Sequence, residues 1–273
     1  MALRMPQGMR LVNWLLGGWS IVVLLFLYLP IVVLIVYSFN ASPRGIGFPG
    51  VTLEWYRALI QEDELELLVP LRNSLIIAVI VTFVSSLMGT IGAWLLYQYR
   101  YRFERSLSTL ILTPMIVPEV IMGISFLLLF SNLGVDNGWV RTIIAHITFC
   151  FPFVLVAVQA RLSGLDPSLM EAAMDLGARP HVAFIKVIVP YLLPAIVSGA
   201  LMSFTLSMDE VVVTWFTYDD SSQTLPVKLF GIASRRGYRP ELNVVSTLLI
   251  LFTVVMVILT HWIGRATATK PQN

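Results

Sequence analysis

Charge is what this sequence has least of. Only 12% of its 273 residues are Asp, Glu, Lys or Arg, against about 25% in a typical soluble domain. That deficit argues against a soluble protein. The formal net charge of +2 carries no information about nucleic acid, and no nucleic-acid partner is expected. Cysteine is nearly absent. Cys150 stands alone inside an apolar run, so it cannot form an internal disulfide and reads as a small buried hydrophobe. The three histidines, His146, His181 and His261, lie far apart on different segments. They suggest no metal site. No Gly-x-x-x-x-Gly-Lys-Ser/Thr loop occurs, so the chain cannot cradle ATP phosphates in the usual way. No nucleophile elbow and no separate binding domain appear. The expectation is a chain without catalytic residues and without a cofactor of its own.

What is present is apolar. Hydrophobic residues make up 57% of the chain, and the mean hydropathy is +0.82. A span needs about 20 mostly apolar residues. Six runs qualify, at about 14–39, 73–97, 107–131, 140–160, 189–214 and 243–264. The expected class is all-α, a polytopic membrane protein with six transmembrane helices and both termini on one side. The uncharged stretch Leu11–Pro43 after Arg4 and Arg10 is far longer than the core of a cleaved signal. It is expected to be a retained first span.

Orientation follows Lys and Arg placement. Ten basic residues fall on the side of the termini and eight on the other. The compact loop Arg100-Tyr-Arg-Phe-Glu-Arg105 between close spans is the better marker, and it places that side and both termini in the cytoplasm. In the first outer loop, Trp55 and Tyr56 suit a membrane-interface helix. The acidic run Glu62-Asp63-Glu64-Leu65-Glu66 is either a solvated face or an attractor for a cationic partner.

Some spans carry helix-packing signals. Ser85, Gly89 and Ala93, and Ala195, Gly199, Ser203 and Ser207, recur at four-residue spacing. Such stripes let membrane helices pack closely. Pro114 and Pro118 predict a kink in the third span, and Pro152 another in the fourth. His146 reads as hydrogen-bonded packing.

The chain is organised around residues 162–190, a polar, small-residue stretch between two hydrophobic runs. Asp166-Pro167 is a helix-start signal. Ser168 to Leu176 can form a short helix, and Gly177 can end it in the left-handed conformation. Arg179-Pro180 restarts the chain, and a second short helix is predicted to about Val187. The segment lacks a basic recognition face, which argues against DNA.

Glu171-Ala172-Ala173, three residues, Gly177, nine residues, then Val187-Ile188-Val189-Pro190 resembles the EAA motif of ABC-importer inner-membrane permeases. That pattern ends Ile, any residue, Leu-Pro, so this chain departs only at Val187 and Val189. The resemblance implies one transmembrane permease domain over residues 1–273, with 162–190 as its cytoplasmic coupling loop. It implies the type I, MetI-like permease fold in a bacterial inner membrane. It also implies that Glu171, Ala172, Ala173, Asp175, Gly177 and Pro190 belong to the surface that couples to the ATPase. The implied partners are an ABC ATPase homodimer that binds ATP and Mg, a second permease subunit, an external or periplasmic binding protein, and membrane lipid.

Three acids at membrane depth demand a reason. Glu119, Asp209 and Glu210 would each cost about 2.5–3.5 kcal/mol at a span centre on insertion scales. Glu119 lies one turn from Gly123, whose missing side chain leaves room beside it. On a continued fifth span, Glu210 falls on the Ser203–Ser207 stripe and Asp209 about 100° round. Trp215, Phe216 and Tyr218 follow at once. Carboxylates and aromatics together suit a path for a cation, with cation–π attraction worth about 0.5–2 kcal/mol. The alternative is an interfacial pair bonded to Arg235 or Arg236.

A closer resemblance covers nearly the whole chain. His146-Ile-Thr-Phe-Cys150, Ser203 through Thr214, Thr224-Leu-Pro226 and Pro240-Glu-Leu-Asn-Val-Val245 are similar to the PotC/PotI/YdcV-type permeases of spermidine and putrescine ABC importers. That implies a polyamine permease. Relatives with this frame move other small cationic or zwitterionic amino compounds. From another class, a proton-coupled secondary transporter would also use buried acids, but the EAA spacing argues against it.

Overall fold

The computed structural model describes residues 7–61, 66–98, 104–236 and 239–268. Most of Glu62–Glu66 and of the Arg100–Arg105 loop lies outside them. The chain forms two compact units, residues 1–65 with 235–251, and 66–234 with 252–273.

In the first unit, α1 (Gln7–Tyr37) is a long apolar helix. No residue of its most apolar stretch within Trp14–Tyr37 is buried, as suits a helix solvated by lipid. The loop after it is tied by side chains. Asn40 pairs with Val51 across a short bridge, and its amide donates to the Gly47 carbonyl at 2.8 Å. The Trp55 indole donates to the Asn40 carbonyl at 2.9 Å. Tyr56 stacks on Phe39 and bonds Ser38 at 2.8 Å. Trp55 and Tyr56, on α2 (Glu54–Gln61), therefore anchor the loop.

The second unit is built on three helices, α3 (Leu68–Gln98) and α6 (Gly138–Leu162) running in the same direction and α9 (Val189–Asp209) against them. The small-residue stripes explain how they approach. A Cβ on Gly89 of α3 would lie 2.7 Å from the Val154 Cβ, and one on Gly199 of α9 3.0 Å from the Val154 Cα. Both helices therefore close on the same residue of α6. Close backbone approach replaces the hydrophobic drive that lipid removes. One apolar cluster, including Trp94, Leu162, Leu165 and Ile188, fills the end that carries the 162–190 loop. A second, including Ile77, Met122, Phe149 and Val213, fills the other end. Cys150 is wholly buried, and its thiol faces the Ser203 carbonyl at 3.6 Å.

Gly89→Ala should therefore destabilise by about 1–3 kcal/mol, as overpacking does. Gly92→Ala should cost less, because its new Cβ meets only the flexible Leu155 Cδ1 at 3.2 Å. Denaturant unfolding of the two variants in one detergent tests the order.

Among the described residues, five helices are long and apolar enough to cross a membrane, and a bent helix pair passes the same test as a sixth, broken span. The third span is not one kinked helix. α4 (Glu104–Leu112) runs through a 3-10 turn at Thr113–Met115 and stops. Then α5 (Glu119–Leu133) leaves at 102°. Two prolines four residues apart remove two donors and force extended backbone, with Pro118 at ψ 132°. The fifth span also differs. It ends at Asp209, not Thr214, and α10 (Val212–Thr217) follows as a separate short helix. Beyond lie α11 (Leu225–Arg236) and α12 (Pro240–Ala268).

Candidate functional site

The 162–190 segment forms as its local chemistry dictates. The Asp166 carboxylate accepts the Ser168 amide at 2.9 Å, which holds its carboxyl below the usual aspartate range. α7 (Ser168–Asp175) follows. It ends in a Schellman motif: the Ala178 amide donates to Ala173 O at 3.1 Å and the Gly177 amide to Met174 O at 2.8 Å. Gly177 has φ +87° with open space around it, so its need is conformational rather than steric. Glu171, Ala172 and Asp175 are exposed, Ala173 is half-buried, and Leu176 is 91% exposed. Met170 packs back on the bundle. The helix and its cap thus present two acids, one alanine and a bare leucine outward.

The second short helix differs from expectation. α8 (Pro180–Ala183) passes through one π-helical turn, Phe184–Ile188, straight into α9. The span accordingly runs from Pro180 to Asp209, with Pro190 exposed near its start. From Val182 to Ile188 the residues are apolar except Lys186 and include no glycine or proline, and Ile188 is buried in the cluster with Trp94 and Leu162. The base of the segment is clasped by Arg161, which sequence reasoning passed over. Its guanidinium lies 4.5 Å from the centre of the Tyr191 ring.

At its far end α9 stops at Asp209. Glu210 is extended, with ψ 123°, so it does not continue the Ser203–Ser207 stripe. Its carboxylate accepts the Val213 amide at 2.6 Å, satisfying one of the free donors at the start of α10. Glu210 is 8% exposed. The exposed Asp209 takes a hydrogen bond from Thr253 on α12. Glu119 stands exposed in the first turn of α5, near enough for its charge to bear on Glu210. The expected room beside Gly123 is filled: its missing Cβ would lie 2.5 Å from the Phe216 ring. Trp215 is 37% exposed and meets Phe230 edge-on, with ring centres 5.4 Å apart. Tyr218 lies on its other side at 6.0 Å.

Asp219 ties this region down. It accepts the Gly138 amide at the start of α6 at 2.7 Å, and the amides and hydroxyls of Ser221 and Ser222. Partial burial works against its charge, but the bonds from Ser221, Gly138 and Ser222 outweigh it and bring the carboxyl down to about 2. The Asn73 amide holds the carbonyls of Ser221 and Gln223. The signal for this knot was the Asp-Asp-Ser-Ser turn itself. Since the folded value lies below the ordinary 3.8, Asp219 stabilises the fold above that pH. Its contribution fades as pH falls toward 2. Asp219→Asn should unfold more easily than wild type near neutral pH, and the two should converge at about pH 2. Thermal melts across that range check it.

The 162–190 segment and the acids Asp209 and Glu210 therefore stand at the two ends of α9. The family profile for "Binding-protein-dependent transport system inner membrane component" matches residues 85–270. The chain belongs to this family. Membership makes it a multi-pass inner-membrane permease component of a transport system, not an enzyme. It is 41% identical over 249 residues to the spermidine/putrescine transport system permease protein PotC of Escherichia coli K12, covering 91% of this chain and 93% of that one. It is 39% identical over 263 residues to the putrescine transport system permease protein PotI of the same strain, covering 92% of each. Among solved structures, it matches a bacterial ABC transporter involved in the import of the acidic polysaccharide alginate. The TM-score is 0.68 at 18% identity, over 94% of this chain and 97% of that one. Against the inward-facing MetNI methionine ABC transporter the TM-score is 0.60 at 21% identity, over 76% and 99%. At such identities the likeness is one of fold, the six-span, MetI-like fold of ABC-importer permeases.

Proposed function

We propose that this permease carries polyamines, putrescine or spermidine, as one subunit of an ATP-driven importer. The observation that carries the reading is the 41% identity to a spermidine/putrescine permease over nearly the full length of both chains. The chemistry at the α9 break supports it. Glu119 is close enough for its charge to bear on Glu210, and Asp209, next to Glu210 in the chain, is exposed. A transient ammonium between carboxylates relieves that repulsion and regains part of its lost hydration. Trp215, Phe216 and Tyr218 add aromatic faces along the way. A small zwitterionic or singly cationic amino compound would fit the same acids less fully than a diamine or triamine.

Glu171, Ala172, Ala173, Asp175, Gly177 and Pro190 form the coupling element. Small residues let a partner backbone approach closely, and Glu171 offers a charge for pairing. The partner is an ABC ATPase homodimer that holds ATP and Mg. Because α8 and α9 are continuous, a tilt imposed on α7 and α8 moves the α9 break. A second permease subunit completes the path, and an external binding protein delivers the amine. This arrangement puts the coupling loop and both termini in the cytoplasm. The membrane potential then favours inflow by about 2.3 kcal/mol per charge per 100 mV.

ATP hydrolysis by the reconstituted complex tests the substrate class. Binding protein loaded with putrescine or spermidine should raise it several-fold over unloaded protein. Stimulation by a zwitterionic amino compound alone would reject the polyamine reading.

A further inference from the structure

No glycine or proline marks the place where α9 stops. Between Gly199 and Pro226 the sequence holds neither glycine nor proline, the residues that ordinarily break a helix. The break is held from outside, by α6. His146 is wholly buried. Its Nδ1 lies 2.9 Å from the Ser207 hydroxyl, in the last turns of α9. Its Nε2 lies 2.8 Å from the Thr214 hydroxyl, on α10. One imidazole therefore bonds both sides of the break. In an unbroken helix these residues, seven apart, would be about 10.5 Å apart along the axis, too far for one ring to bridge comfortably.

The direction of the bonds follows from proton counting. The Thr214 hydroxyl donates to the Glu210 carbonyl at 3.3 Å. A hydroxyl has one proton; with that proton on the Glu210 carbonyl, Thr214 accepts from the imidazole at Nε2, the assignment that the tautomer measurement below decides. In the neutral ring Nδ1 is then bare and accepts from Ser207. The result is a directed chain: Ser207 to His146, His146 to Thr214, Thr214 to the carbonyl of Glu210, the residue where the helix gives way.

We propose that His146, as its Nε2–H tautomer, is a positioning residue that clamps the α9–α10 break and so fixes where Asp209 and Glu210 stand. The clamp rests on geometry. Its effect on transport rests on the reading of those acids as the cation path.

Three readouts on the full chain in membranes test it. In a His181→Gln, His261→Gln background, nitrogen NMR of the remaining imidazole should report the Nε2–H tautomer; the Nδ1–H tautomer would overturn the chain of bonds. In a Cys150→Ala background, nitroxide labels at the exposed positions 202 and 215 should give a narrow distance distribution. It should broaden in His146→Phe and in the milder Thr214→Val, and narrow again in His146→Gln, whose amide can still donate to Thr214. Unchanged distances in both Phe and Val variants overturn the clamp. The third readout is uptake: the KM should rise about tenfold in Thr214→Val, as for loss of one buried hydrogen bond, with partial recovery in His146→Gln over His146→Phe. Broadened distances with an unchanged KM would uphold the clamp and reject the acid path instead.

Discussion

Glu171→Lys should leave an inserted permease that no longer imports. Glu171 is exposed on α7, a helix with no fully buried residue of its own, so the substitution costs the fold little. Its effect falls on the partner. Reversing a charge at the centre of a docked surface costs about 2–5 kcal/mol, which lowers uptake about thirtyfold or more. The amount of permease in the membrane should stay at the wild-type level. Residual ATP hydrolysis by the ATPase should lose its response to loaded binding protein. Membrane immunoblots, uptake and ATPase assays on one preparation separate these effects. Wild-type uptake from the Lys variant would remove the coupling role from this helix.

Asp209→Asn should act at the far end of α9 and look different. The substitution keeps the shape and the hydrogen bond from Thr253, but removes a negative charge from an exposed position beside the break. A hydrogen bond to a charged group contributes about 1.5–3 kcal/mol. Uptake of a cation should therefore show a KM about ten- to a hundredfold higher, while ATPase docking and the level of assembled complex stay unchanged. Glu119→Gln should move in the same direction. The kinetic split decides the role: loss of the assembled complex in place of a raised KM would make Asp209 a structural residue.

The parts of the molecule written in local chemistry were readable from the sequence. Gly177 ends α7 because it alone tolerates a φ of +87°. Gly89 and Gly199 sit where α6 comes closest, as four-residue spacing of small residues implies. What sequence did not reveal was set by other elements. The stop at Asp209 has no glycine or proline beside it, and the ring that bonds both of its sides, His146, lies 61 residues from Ser207 and 68 from Thr214. The room expected at Gly123 is taken by Phe216, brought in from α10. The two prolines of the third span were visible, but the 102° turn they allow is larger than a kink. The run from α8 into α9 depends on how Ile188 and Leu192 pack against Trp94 and Leu162, which one segment cannot disclose. The acids themselves were legible because charge at membrane depth is costly. Which way each points was not.

The central claim is that this permease imports polyamines under the control of its coupling helix. Uptake of labelled putrescine and spermidine by cells lacking this gene tests it most directly, with the wild-type gene returned, with Glu171→Lys returned, and with neither. The expected result is uptake restored by the wild type alone. Cells that contain the whole assembled transporter and take up neither amine would contradict the polyamine claim. Restoration by Glu171→Lys as well would contradict the coupling claim.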